Sequence, residues 1–174
     1  MTIRKGYARN NVEVAVHFIL CSFHEYFIYI DEYGGLMKKH ILFLCTHNSA
    51  RSQMAEGLLR GLMGDEYEAF SAGTKPGQVN SFVVRAMAEI GIDLSSHRSK
   101  HLNEFISQDF DYIVTVCDNA KEECPYFAGG KKVIHHSFPD PSAFQGTDDE
   151  IMSGVRSVRD EIKRWILDEF GGKR

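Results

Sequence analysis

Residues Ile41-Leu42-Phe43-Leu44-Cys45-Thr46-His47-Asn48-Ser49-Ala50-Arg51-Ser52 decide how the chain is read. A short apolar run of strand character stops at a cysteine, five residues intervene, and Arg51-Ser52 open an amphipathic helical pattern. A loop between a buried strand and a helix N-terminus gathers unpaired backbone N–H groups, with the positive end of the helix dipole behind them. Such a loop suits a tetrahedral oxyanion, and Thr46, His47, Asn48, Ser49, Ala50, Arg51 and Ser52 form its cradle. A cysteine at the mouth lies in the same field, which with the Arg51 guanidinium and the Ser52 hydroxyl is expected to lower the thiol pKa and give a thiolate at neutral pH. Arg51 can grip two oxygens of the anion with its planar fork, which lysine cannot. Cys45 is therefore assigned as nucleophile and Arg51 as clamp. The nucleotide-binding pattern G-x-x-x-x-G-K-[ST] is absent.

Outward from this stretch, strand and helix patterns alternate. His40–Leu44 is a continuous apolar run of the kind found in a parallel sheet covered on both faces, and the next helix lines up Met54, Ala55, Leu58, Leu59 and Leu62. Tyr67–Ala72 is a second strand, and Pro76-Gly77 turns the chain into a helix carrying Phe82, Val83, Met87 and Ile90, closed by Gly91. Asp111–Val116 forms a third strand ending on Cys117, and Lys131–Phe138 a fourth. The last helix opens on Thr147-Asp148-Asp149-Glu150, with capping-box spacing, buries Ile151, Val155, Val158, Ile162, Ile166 and Phe170, and ends at Gly171. Alternation of this kind gives an α/β fold with a parallel sheet, whose ligands bind at the carboxyl ends of the strands. Cys117 is thus expected to face the same crevice as Cys45. His97, Arg98, Lys100 and His101 form a run of bases that is expected to be a solvated face.

The run CTHNSARSQMAEGLLR, Cys45–Arg60, resembles the signature loop of the low-molecular-weight protein tyrosine phosphatase superfamily, in the variant of its thioredoxin-coupled arsenate reductases. SAGT at Ser71–Thr74, HRSK at His97–Lys100, VTVCDNAKEECP at Val114–Pro125 and FPDP at Phe138–Pro141 extend the likeness. The resemblance implies a three-layer α/β sandwich around a four-stranded parallel sheet in the flavodoxin-like order 2-1-3-4, the phosphotyrosine phosphatase I-like fold. It also implies reduction of arsenate to arsenite, in arsenic detoxification, by a relay through Cys45, Cys117 and Cys124 that thioredoxin regenerates. Asp140, held between two prolines at a strand end, becomes the general acid. Asn48 is expected to hold the loop conformation and Ser52 to stabilise the thiolate. No tightly bound cofactor is implied, but a potassium ion is, at Asn48, Glu56 and Ser71. Phosphate or sulfate would compete with arsenate for the loop.

Spacing alone leaves the second cysteine pair open. On one regular helix Cys117 and Cys124 would lie about 10.5 Å apart along the axis, whereas a disulfide needs Cα atoms roughly 4.4–6.8 Å apart. They can bond only if the turn between them unwinds, which makes a redox switch; the bland readings are two buried thiols, or a metal site with His135 or His136. A phosphoester hydrolase would need only Cys45, Arg51, Asp140 and water. Two departures argue against tyrosine phosphatase work: Ser142 follows the Asp-Pro pair where those enzymes usually carry an aromatic, and Ala50 stands where they carry a second cysteine. A redox-sensing or arsenite-trapping protein without turnover would leave Asp140 and the loop without a purpose.

With 174 residues, 43% of them apolar, the chain supports a domain with a substantial core. Its net charge of −4 offers no case for nucleic acid or an anionic membrane surface. Cysteines available for chemistry suggest a reducing cytoplasm, and a monomer is expected. Residues 1–36 stand apart. Val12–Ile30 is apolar but interrupted by Glu13, His17, His24 and Glu25, too charged to span a membrane, and no small-residue cleavage pattern follows. Met37-Lys38-Lys39 directly precedes the first strand, so residues 1–36 are expected to be an extension outside the working domain of 37–174, with a misplaced start codon as one origin.

Overall fold

The computed structural model describes residues 37–117 and 130–172. The extension at residues 1–36 and Cys124, with the turn that joins it to Cys117, lie outside the described residues.

Strands β1 (Lys39–Cys45), β2 (Tyr67–Gly73), β3 (Phe110–Thr115) and β4 (Gly130–His135) form a four-stranded sheet in the order β2-β1-β3-β4, each neighbouring pair parallel. β1 lies inside the sheet, which is why Ile41, Leu42 and Phe43 have no solvent exposure and the run carries no alternation. Helices α1 (Arg51–Met63), α2 (Ser81–Ala88) and α3 (Asp148–Phe170) cover the face carrying Ile41, Phe43 and Val114. On the other face Leu42, Leu44 and Ile113 pack under Leu102 and Phe105, from a 3-10 turn at Leu102–Phe105. There Phe70, Phe105 and Phe110 meet edge to face, the arrangement that ring quadrupoles favour.

The chain leaves β1 towards β2 on one side and later returns to β3 on the other, so a crevice opens where these connections diverge. Register sets what lines it: Cys45 is level with Gly73, and Leu44 with Thr115.

Three expectations need correction. Leu62 is exposed, since the buried part of α1 stops at Leu59, and Ile90 is exposed because α2 ends at Ala88 and the chain reverses at Gly91. Gly91 has φ +79°, a left-handed conformation that suits glycine. β4 ends at His135 rather than Phe138, although backbone bonds from His136 to Thr115 and from Phe138 to Val116 carry the contact onward. Being an edge strand, β4 leaves Val133 65% exposed. α3 begins at the expected capping box, with Thr147 and Glu150 satisfying each other's backbone N–H.

Candidate active site

The loop from Thr46 to Ala50 is turned inside out by its neighbours. The carbonyls of Thr46, His47 and Ser49 accept hydrogen bonds from the backbone N–H groups of Lys75, Gly77 and Asn80, at 2.8, 3.0 and 2.9 Å. The Asn48 carbonyl accepts from Gln53 Nε2 and Ser99 Oγ. A trans peptide points its N–H opposite its C=O, so the amides of His47, Asn48, Ser49 and Ala50 face the other way, into the crevice. The Asn48 N–H donates to Cys45 Sγ at 3.0 Å. Ala50 occupies the N-cap of α1 and makes no side-chain cap bond, so no side chain competes there for the first amides of the helix.

Asn48 makes this geometry possible. It has φ +48°, a conformation asparagine tolerates better than most residues, and it is fully buried. Its Oδ1 accepts from Lys100 N–H and Gln53 Nε2, which leaves Nδ2 to donate to Ser52 Oγ at 2.9 Å and Ser71 Oγ at 2.8 Å. Ser52 Oγ accepts from Asn48 and lies 2.9 Å from Cys45 Sγ, in hydrogen-bond contact with the sulfur.

The expected depressed thiol does not appear: burial pushes the Cys45 thiol up. The Ser52 hydrogen bond opposes this, the nearby Cys117 sulfur adds to it, and the amides of Asn48 and Ser52 pull it back down. Arg51 does not help the sulfur, because its guanidinium is engaged elsewhere. Nη2 lies 3.0 Å from Asp140 Oδ2, and Nη1 donates to the Phe138 carbonyl at 3.2 Å. Asp140 also accepts from Ser142 N–H, as the N-cap of a 3-10 turn at Pro141–Ala143. Arg51 and Asp140, the expected clamp and acid, therefore meet as an ion pair at the rim.

Cys117 is buried at the end of β3, and its sulfur lies 3.7 Å from Thr46 Oγ1, on the loop itself. Cys45 and Cys117 are both free thiols. Among the described residues no group of three or more His, Cys, Asp or Glu could hold a metal ion, and Cys124, which the metal reading needs, lies outside them. His135 bonds Thr115 Oγ1, and His136 stacks on Trp165. No helix among the described residues is long and apolar enough to cross a membrane.

The run of bases divides. Arg98 and His101 are surface groups, Arg98 paired with Glu104 and His101 capping the 3-10 turn. His97 turns inward to Gln53 Oε1. Lys100 is not solvated: its ammonium lies 3.1 Å from Oε2 of the buried Glu56. Gln53 and Lys100 are the site residues that sequence reading missed. Asn48, Glu56 and Ser71 do converge, since Ser71 Oγ donates to Glu56 Oε2 at 2.5 Å. They do not fit a potassium ion, however, because Lys100 already caps Oε2 and Arg60 Nη2 caps Oε1 at 2.8 Å.

Gly73 closes the back of the loop. A Cβ there would come within 2.5 Å of the Thr46 carbonyl oxygen and 2.9 Å of the Asn48 nitrogen, both backbone atoms with no rotamer to yield. Gly73→Ala should lower stability by about 1–3 kcal/mol and displace the cradle. Chemical denaturation and oxyanion affinity together check it.

The sulfur of Cys45 thus lies under an amide N–H at the divergence point of a 2-1-3-4 sheet, in an α/β fold whose crevice is lined by backbone donors. Residues 40–166 match the family model described as low molecular weight phosphotyrosine protein phosphatase, and the chain belongs to that family. An arsenate reductase of Halalkalibacterium halodurans is 45% identical over 129 residues, spanning 74% of this chain and 93% of that protein. One of Bacillus subtilis is 43% identical over 124 residues, 71% of this chain and 89% of that protein. Among solved structures, an arsenate reductase in the phosphate binding state superposes with a TM-score of 0.65 at 27% identity, covering 76% of this chain and 95% of that one.

Proposed function

We propose that this chain reduces arsenate to arsenite, with Cys45, Cys117 and Cys124 as the thiol relay and thioredoxin as the final electron donor. The observation that carries the reading is the place of Cys117. A hydrolase needs one sulfur in the loop, and here a second thiol lies 3.7 Å from the Thr46 hydroxyl, on the residue next to Cys45.

Arsenate enters the cradle of amides and draws Arg51 away from Asp140, the guanidinium exchanging one pair of oxygens for another. The Cys45 thiol gives its proton to an arsenate oxygen and the thiolate attacks arsenic. As the S–As bond forms, an As–O bond breaks; Asp140, released by Arg51 and having taken up a proton from solvent at the exposed rim, passes it to that oxygen, which leaves as water. Cys117 then attacks Cys45 Sγ as a thiolate. The S–S bond forms, the S–As bond breaks, and its electron pair stays on arsenic, which departs as arsenite in the +3 state. Cys124 attacks Cys117, forming the Cys117–Cys124 disulfide and releasing Cys45 as a thiolate; a dithiol such as thioredoxin reduces that disulfide by exchange.

Support comes from the two free buried thiols at adjacent strand ends and from relatives named arsenate reductase over most of their length. The test is arsenate-dependent NADPH consumption with thioredoxin and thioredoxin reductase. Turnover is expected, and its absence with reduced, folded protein would reject the reading. Asp140→Asn keeps the shape and loses the transferable proton, so kcat should fall by about 10²–10⁴-fold while oxyanion binding persists.

A further inference from the structure

Lys100 touches the network behind the nucleophile at both ends. Its backbone N–H donates to Asn48 Oδ1 at 2.7 Å, and its Nζ pairs with Glu56 Oε2 at 3.1 Å. From Glu56 the bonds run through Ser71 Oγ to Asn48 Nδ2, and from Asn48 through Ser52 Oγ to Cys45 Sγ. Glu56 is 4% exposed, and a carboxylate buried to that degree needs compensating charge. Lys100 and Arg60 supply two cations to one carboxylate, so a third cation would meet net repulsion. Nearby His97 agrees with this. Burial depresses its pKa, Glu56 opposes the shift, and the charges of Lys100 and Arg60 deepen it.

We propose that Lys100 is a covalently tethered substitute for a bound monovalent cation, holding Glu56, Ser71 and Asn48 in place so that the nucleophile loop keeps its shape without potassium. Lys100 is a positioning residue, acting on Cys45 through four other side chains. A tethered ammonium is present at every salt concentration and carries no association penalty. The loop should therefore be indifferent to which alkali cation the solution contains.

The test reads the loop directly and needs no arsenate turnover, so its failure is distinct from failure of the reductase reading. The full chain is treated with iodoacetamide at one fixed pH in KCl, NaCl or choline chloride of equal ionic strength. Modification of Cys45 is followed by peptide mass spectrometry, and the thermal midpoint is taken in each salt. The parent protein should react at one rate and melt at one temperature in all three. Lys100→Ala should react about tenfold more slowly in choline chloride, the weight of one charge-assisted hydrogen bond, and recover towards the parent rate in KCl. Lys100→Arg should keep the parent rate in every salt.

A parent protein that reacts faster in KCl than in choline chloride overturns the proposal. So does Lys100→Ala reacting at the parent rate in choline chloride, and so does a slow Lys100→Ala that KCl fails to restore, since that is a packing effect. Should Lys100→Ala give no cooperative melt, the double variant Glu56→Gln, Lys100→Met removes the anion along with its cation. Its Cys45 reactivity is expected to be independent of salt, and a rise in KCl would contradict the assignment.

Discussion

Cys45→Ser should still bind a tetrahedral oxyanion and turn over nothing. Arsenate-dependent NADPH consumption and aryl phosphate hydrolysis should both fall by a factor on the order of 10⁶, the loss that follows removal of a covalent nucleophile. The argument is local. The amides that face the crevice, the Ser52 hydroxyl and the Asn48 N–H all converge on atoms at the end of β1, and none of them depends on sulfur for its position. A serine hydroxyl placed there holds its proton far more tightly than a thiol, and burial, which already pushes the thiol up, raises the barrier to ionisation further. Protection of the fold by added phosphate, read as a higher thermal midpoint, should persist. Residual hydrolysis near the parent rate would place the nucleophile elsewhere.

Cys117→Ser should split the two chemistries. Thioredoxin-driven arsenate turnover should drop to background, because no second sulfur remains to form the disulfide that leaves the electron pair on arsenic. Hydrolysis of an aryl phosphate should stay close to the parent rate, since that reaction uses Cys45, Arg51 and Asp140 alone. The sign of any residual change follows from electrostatics: charge at Cys117 raises the Cys45 pKa, so its removal makes Cys45 easier to ionise. Serine keeps a hydroxyl within reach of Thr46 Oγ1, which limits the structural disturbance. Arsenate turnover undiminished in Cys117→Ser would refute the relay and leave a one-sulfur mechanism.

Features carried by local pattern are legible in the sequence. The apolar run of β1, the helical stripe of α1 and the capping box at Thr147 each obey rules spanning a few residues, and each stands where those rules put it. Lys100 escaped for the opposite reason. Its partner Glu56 is 44 positions away, and nothing within the run from His97 to His101 separates the inward lysine from the surface arginine beside it. The raised thiol of Cys45 is not legible in the C-x5-R pattern, which conveys hydrogen bonds and charge, whereas the burial that outweighs them is a property of the packed core. Arg51 illustrates a related limit, since its ion pair with Asp140 joins two segments that sequence treats separately.

The cradle's outer wall is made of main chain. Lys75, Gly77 and Asn80 hold the loop through their N–H groups, and a Cβ added at Gly77 would touch nothing within 4 Å. Evolution is therefore free to vary the composition of that wall, provided its length and its donors survive. Drift in the side chain at position 77 leaves the ties intact, while a proline at 75 or 77 deletes one outright. Two members of such a lineage could look unrelated across this stretch and still grip the same anion.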